Sequence, residues 1–224
     1  MRPFGRRSVA LVGLIGTVAF SPRVAAAGSA DTQKSTDVEL TTKEIGLKEN
    51  VLGDVVADAM RAGAKADVAL IDASAFEEQV SVPKGKFTNS DLLKALSYKS
   101  DNIFVLKLTG EQLRLALEHG LFLYPKFNSA FLQFSGMIVT VNPGGGAEKH
   151  VVSVKVNGDT LESGRIYSVA MRAPLANGGL AYSKIWKNSE KKDTQQTLEA
   201  AIDGYLSGHP TVAKGEDRLV NKGR

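Results

Sequence analysis

Residues 103–120 read Ile103-Phe-Val-Leu-Lys-Leu-Thr-Gly-Glu-Gln-Leu-Arg-Leu-Ala-Leu-Glu-His-Gly120, and this stretch decides the fold class. Ile103 to Leu108 is apolar on both faces, which suits a central strand covered above and below. Thr109 and Gln112 stand three apart, the spacing at which each side chain satisfies the other's free backbone N–H at a helix start. Leu113, Ala116 and Leu117 then share one helical face, and Gly120 lies near the helix end. A buried strand that runs straight into an amphipathic helix calls for layers of both kinds.

The flanking sequence extends this pattern. Upstream, Leu52, Val55, Val56, Ala59 and Met60 predict a helix over 50–62 capped by Asn50. A short apolar strand follows from Asp67 to Asp72, then a helix capped by Ser90 that holds Leu92, Leu93 and Leu96. Downstream, 131–134 and 137–141 read as strands broken around Gly136. Val152, Val154 and Val156 alternate with Ser153 and Lys155, a half-buried strand leading into an Asn157-Gly158 turn. Residues 166–171 form another strand, and Leu198, Ala201, Ile202 and Tyr205 share one side of a helix over 197–206. Sheets covered by helices, an α+β fold, are expected. Asp54 and Asp58 lie on the first helix away from Val55 and Met60, where a solvated face is expected and a paired general acid and base is the alternative. The lysine-rich 184–192 stretch reads as an exposed loop around one packed Trp186.

The 224 residues suffice for one good-sized domain or two small ones. Arg2, Arg6 and Arg7 precede an apolar run over 8–20, too short to span a bilayer comfortably, and Val24-Ala-Ala-Ala27 supplies small residues for a peptidase. This predicts a signal peptide over 1–27 cleaved after Ala27, a loose leader over 28–37 and a folded domain over 38–222. The signal holds four arginines and no acid, so its removal takes the formal charge of +4 to zero and excludes a general basic surface for nucleic acid. With no cysteine there is neither a disulfide nor thiolate chemistry, and the domain must rest on its core. A periplasmic or secreted protein with no stable membrane insertion after cleavage is expected. His119, His150 and His209 have no metal-binding spacing, so no metal and no cofactor are expected; His119 reads as a helix C-terminal residue facing exposed carbonyls.

Five segments carry a resemblance: Glu49-Asn-Val-Leu-Gly-Asp-Val-Val-Ala-Asp-Ala-Met-Arg61, Phe104 to Leu113, Leu117-Glu-His-Gly120, Phe131-Leu-Gln-Phe-Ser-Gly136 and Leu175-Ala-Asn-Gly-Gly-Leu-Ala-Tyr182. In this order, and with an Asp217-Arg-Leu-Val220 ending, the chain resembles the C-terminal domain of the 5'-nucleotidase family over roughly 40–222. The resemblance implies a four-layer α/β/β/α sandwich. It also implies a separate N-terminal domain with two metal ions for phosphoester hydrolysis, whose Asp-x-His, Gly-Asn-His and Gly-His-x-His segments are not found here.

In that family the C-terminal domain grips the nucleotide's base between two aromatic rings. The matching positions are Tyr98, in Ser97-Tyr-Lys-Ser-Asp-Asn102, and Tyr182, behind Gly178 and Gly179. Asp72, Asn102, Gly178 and Gly179 complete the candidate ligand site. Its polar half departs from the family: Asp72-Ala-Ser-Ala-Phe-Glu77 replaces Asn-Gly-Gly-Gly-Ile-Arg, so Glu77 reverses a charge, while Val51 and Leu180 replace further polar residues. A nucleoside therefore suits the site better than a nucleotide. The resemblance leads to an exported domain, non-catalytic alone, that binds a nucleoside-like molecule or a separate metallophosphatase subunit. The alternatives are a hydrolase with an unrecognised site and a purely structural or interaction module.

Overall fold

Around the 103–120 stretch stands a five-stranded sheet in the order Lys191–Thr197, Asn102–Thr109, Ile166–Arg172, Val68–Asp72, Leu132–Ser135. These elements come from a computed structural model that describes Met1 and residues 33–145, 149–215 and 217–222. The expected export signal lies outside the described residues. Asn102–Thr109 is hydrogen-bonded to antiparallel neighbours on both sides, with Ile103, Leu106 and Leu108 buried. Val68–Asp72 is buried along its whole length, parallel to Ile166–Arg172 and antiparallel to Leu132–Ser135.

The caps form as the side chains dictate. Thr109 Oγ1 accepts from the Gln112 backbone N–H at 3.1 Å and Gln112 Oε1 accepts from the Thr109 N–H at 2.9 Å, opening the helix Gly110–Gly120. Asn50 Oδ1 accepts from Leu52 and Gly53 at the start of Val51–Ala64. That helix packs on the late helix Leu198–Gly208 and across the principal sheet. Leu198, Ala201, Ile202 and Leu206 fill the seam, each large side chain contributing about 2 kcal/mol through the area it removes from water.

A second sheet runs Asp159–Thr160, Val151–Val156, Met137–Val141, Leu219–Asn221, its last strand parallel to its neighbour. Gly136, at φ 81, joins the two principal sheets at the break between Leu132–Ser135 and Met137–Val141. The two sheets with their helices give the expected α+β architecture.

Four local expectations are corrected. The folded region begins before Val38: Lys34–Thr36 is a strand held between Gly85–Phe87 and Thr211–Val212, with Lys34 and Thr36 buried. Thr88, not Ser90, caps Asn89–Leu93 through a reciprocal pair with Asp91, and Leu96 lies beyond that helix, bridged to Phe76. Val152 is 41% exposed, because Ser153 pairs with Thr140 and Val151 with Val141, leaving Val152 as the extra residue of a bulge. Part of the lysine-rich stretch is the edge strand Lys191–Thr197, whose polar side chains guard an open sheet edge. Among the described residues no helix is long and apolar enough to cross a membrane.

Candidate functional site

The parallel strands Val68–Asp72 and Ile166–Arg172 end where antiparallel Asn102–Thr109 begins, so Asp72, Arg172 and Asp101 meet at one end of the sheet. Arg172 donates through Nε to Asp72 Oδ2 at 2.9 Å and through Nη2 to Asp72 Oδ1 at 2.8 Å, a two-pronged pair. It also reaches Asp101 Oδ2 at 3.2 Å and Ser74 Oγ at 3.0 Å, and the Ser74 hydroxyl in turn donates to Asp72 Oδ1. Asp72 is fully buried and Arg172 is 5% exposed. Burial alone would pull the guanidinium pKa down, but Asp72 and Asp101 outweigh it and raise it above its ordinary value. Arg172 carries the charge logic of this end, although in sequence it is only the residue that follows an expected strand.

Tyr182 does not offer a ring to a ligand, which corrects the expected clamp. It is fully buried, stacked on Trp186 at 4.7 Å between centroids, with His119 edge-on at 4.5 Å. Its hydroxyl donates to the Ala130 carbonyl at 2.7 Å, and burial, aided by the Asp72 charge, holds its pKa well above the usual phenol value. Tyr98, by contrast, is 63% exposed on a surface turn. Asn102 turns to the sheet edge, donating to Asp193 Oδ2 at 3.0 Å. The structure therefore brings Asp72 and Tyr182 into one electrostatic neighbourhood but sets Tyr98 and Asn102 to other tasks.

Both glycines sit against the fold: a Cβ on Gly179 would stand 2.9 Å from the Pro174 carbonyl oxygen. Gly178 has φ 88, and a Cβ there would stand 2.6 Å from the Ser183 Cα. Leu180 and Ala181 follow at φ 55 and φ 67, two consecutive left-handed residues without glycine's freedom. Such backbone costs about 1 kcal/mol per residue and persists only where its surroundings enforce it. Here the buried Tyr182 ring anchors one end, and His119 Nε2 lies 2.7 Å from the Leu180 carbonyl oxygen. His119 thus meets a loop carbonyl across the fold and not one at its own helix end.

Beside the network lies a cleft of about 450 Å³ bordered by Ser74, Phe76, Glu77, Glu78, Phe127 and Ser129. Its walls also include Lys43 and Glu44, the latter paired with Lys48 at 2.6 Å. Phe127 is 61% exposed, and its ring packs against Gly46, where a Cβ would come within 2.6 Å of it. Ser74 joins this cleft to the arginine network, since its N–H also donates to the Ser129 carbonyl. The cleft was not anticipated; its only local signal is a phenylalanine set among Pro125, Lys126, Asn128 and Ser129.

A second arginine cluster corrects the solvated face expected for Asp54 and Asp58. Arg218 donates to Asp58 Oδ2 at 2.7 Å and to the Phe134 carbonyl at 2.9 Å, with Asp54 Oδ1 at 3.7 Å. Glu49 Oε2 accepts from the Arg218 and Leu219 N–H groups at 2.6 Å each, which clamps the last strand to the first helix. Asp54 is 8% exposed; burial first, then Glu49 and Asp58, push its pKa up to about 8 against the pull of Arg218. Among the described residues no group of three or more His, Cys, Asp or Glu is arranged to hold a metal ion.

A family model described as 5'-nucleotidase, C-terminal domain matches residues 26–186. The chain is 30% identical over 169 residues to the trifunctional nucleotide phosphoesterase protein YfkN of Bacillus subtilis (strain 168), covering 70% of this chain and 11% of that protein. It is 26% identical over 189 residues to an apyrase of Anopheles gambiae, covering 80% of this chain and 32% of the apyrase. It thus spans a third or less of the length of these relatives. The crystal structure of a 5'-nucleotidase precursor from Thermus thermophilus shares the fold with a TM-score of 0.75 at 24% identity, over 85% of this chain and 39% of that one. Matched over most of its length in sequence and in fold, the chain belongs to the family of 5'-nucleotidase C-terminal domains.

Proposed function

We propose that this chain is an exported binding module of nucleotide phosphoester breakdown, non-catalytic alone, which holds a neutral nucleoside-like ligand and works beside a separate metallophosphatase subunit. One observation carries the reading: Arg172 is enclosed by Asp72 and Asp101, so the cation at this end of the sheet is spent on internal carboxylates and not presented to a phosphate. The adjoining cleft supports it. Phe127 supplies a flat face for a base, while Glu77 and Glu78 accept hydrogen bonds from sugar hydroxyls and repel a phosphate. Its volume of about 450 Å³ lies within the range of small-molecule sites, about 300–1,000 Å³. Export rests on the 1–27 sequence, and the partner subunit on the family to which the chain belongs.

Thermal unfolding with adenosine and with AMP tests this. Adenosine is expected to raise the melting temperature and AMP to leave it unchanged, with Phe127→Ala abolishing the adenosine effect. Stronger stabilisation by AMP would sink the charge argument. Hydrolysis of AMP by the chain alone with added Mn²⁺ or Zn²⁺ would sink the non-catalytic reading. A second reading, a purely structural or interaction module, is favoured by the Tyr182–Trp186 stack that fills the expected slot, and failure of both ligands would select it.

A further inference from the structure

We propose that the outer face of the Gly110–Gly120 helix and the facing helix Ser183–Trp186 form a second small-molecule site, for an organic anion built on a single ring. The helix already commits Leu113, Ala116 and Leu117 to the core, so its other side should be polar. Instead Leu115 is 50% exposed and Phe122, just past the helix end, is 55% exposed. With Ile185 and Ala181 they wall a cleft of about 340 Å³, at the small end of the ligand-site range of about 300–1,000 Å³. It shares no lining residue with the cleft at Phe127.

Charge selects the occupant. Arg114, Lys184 and His119 stand around this apolar hollow. The acid on the same wall, Glu118, is only 6% exposed, and its two oxygens accept the His150 and Val151 N–H groups at 2.9 Å each. Its negative charge is therefore engaged by the backbone behind the cleft, while the cations line the opening. Arg114 is held at that opening by donating to the Val151 carbonyl. An apolar hollow with a cationic rim takes a ring bearing a carboxylate, sulfonate or phosphate: the ring displaces water from Leu115 and Phe122, and the anion faces Arg114 and Lys184. His119 lines the same hollow and its Nε2 lies against the Leu180 carbonyl oxygen, so a ligand seated there also bears on the left-handed Leu180–Ala181 turn.

The test is an amide-shift titration of the ¹⁵N-labelled full chain with benzenesulfonate, methanesulfonate and benzyl alcohol. Benzenesulfonate alone is expected to give saturable shifts, confined to 114–122 and 180–185. Phe122→Ala and Lys184→Glu, both at exposed positions, should each weaken it about fivefold or more without changing the melting temperature. Equal shifts from methanesulfonate would reduce the site to plain charge attraction, and equal shifts from benzyl alcohol to a greasy surface. Either result, or variants that bind like the parent, overturns the proposal, as does the lack of saturation by about 10 mM benzenesulfonate.

Discussion

Arg172 and Arg218 both stand among carboxylates, but the acids around them are arranged differently. Arg172 is matched prong for prong by Asp72 and capped by Asp101, and each contact joins residues at one end of a single sheet. Arg218, with 20% of its side chain exposed, must serve Asp58, Asp54 and, through the backbone, Glu49. Asp58 takes the guanidinium and a 2.6 Å bond from Ser135, while Asp54 Oδ1 is buried with no hydrogen-bond partner among the described residues. The difference teaches that the nearness of a cation does not by itself offset burial: Asp54, off the guanidinium fork, is pushed up by burial despite Arg218. Two acids on one fork both remain engaged; a third is pushed toward its neutral form.

The hardest test of this contrast is Arg172→Met. It strands the fully buried Asp72, and urea unfolding should show a loss of about 3–5 kcal/mol. A loss below about 1 kcal/mol would mean that the pair contributes little beyond packing. Arg218→Met should cost less, about 1–3 kcal/mol, because water reaches that cluster, and more at about pH 8.5 than at about pH 6. Asp54→Asn sharpens the comparison by sign. The stability Asp54 gains by binding a proton is complete below its unfolded value of 3.8 and is lost as pH climbs through about 8. The asparagine variant should therefore match the parent in acid and exceed it by about 1–2 kcal/mol at about pH 8.5, as read from melting curves across pH. Equal stability at both pH values would show that Asp54 ionises normally. The smallest effect is expected at the left-handed loop: Ala181→Gly should stabilise by about 0.5–1 kcal/mol by relieving its φ of 67.

Features encoded within a few residues were legible. Asn50 caps its helix, Thr109 and Gln112 lock theirs, and the Asn157-Gly158 turn forms at φ 50 and φ 92, since each depends only on neighbours along the chain. What stayed hidden depended on distant partners. Asp54 and Asp58 read as solvated because Arg218, 160 residues beyond Asp58, is invisible to helical periodicity. Val152 broke its alternation because the bulge is set by the register of Thr140 and Val141 on the facing strand. Tyr182 kept its motif position, yet no spacing says whether a ring turns outward or stacks inward on Trp186.

That stack has an optical consequence. Trp186 is the sole indole of the chain, 3% exposed and bonded through Nε1 to the Leu175 carbonyl. Its emission therefore reports on one short segment, whereas far-ultraviolet dichroism averages over every helix and strand. A red shift that precedes the loss of ellipticity during gentle heating would reveal the Gly178–Trp186 region as a unit that opens by itself, and coincident curves would bind it to the cooperative whole.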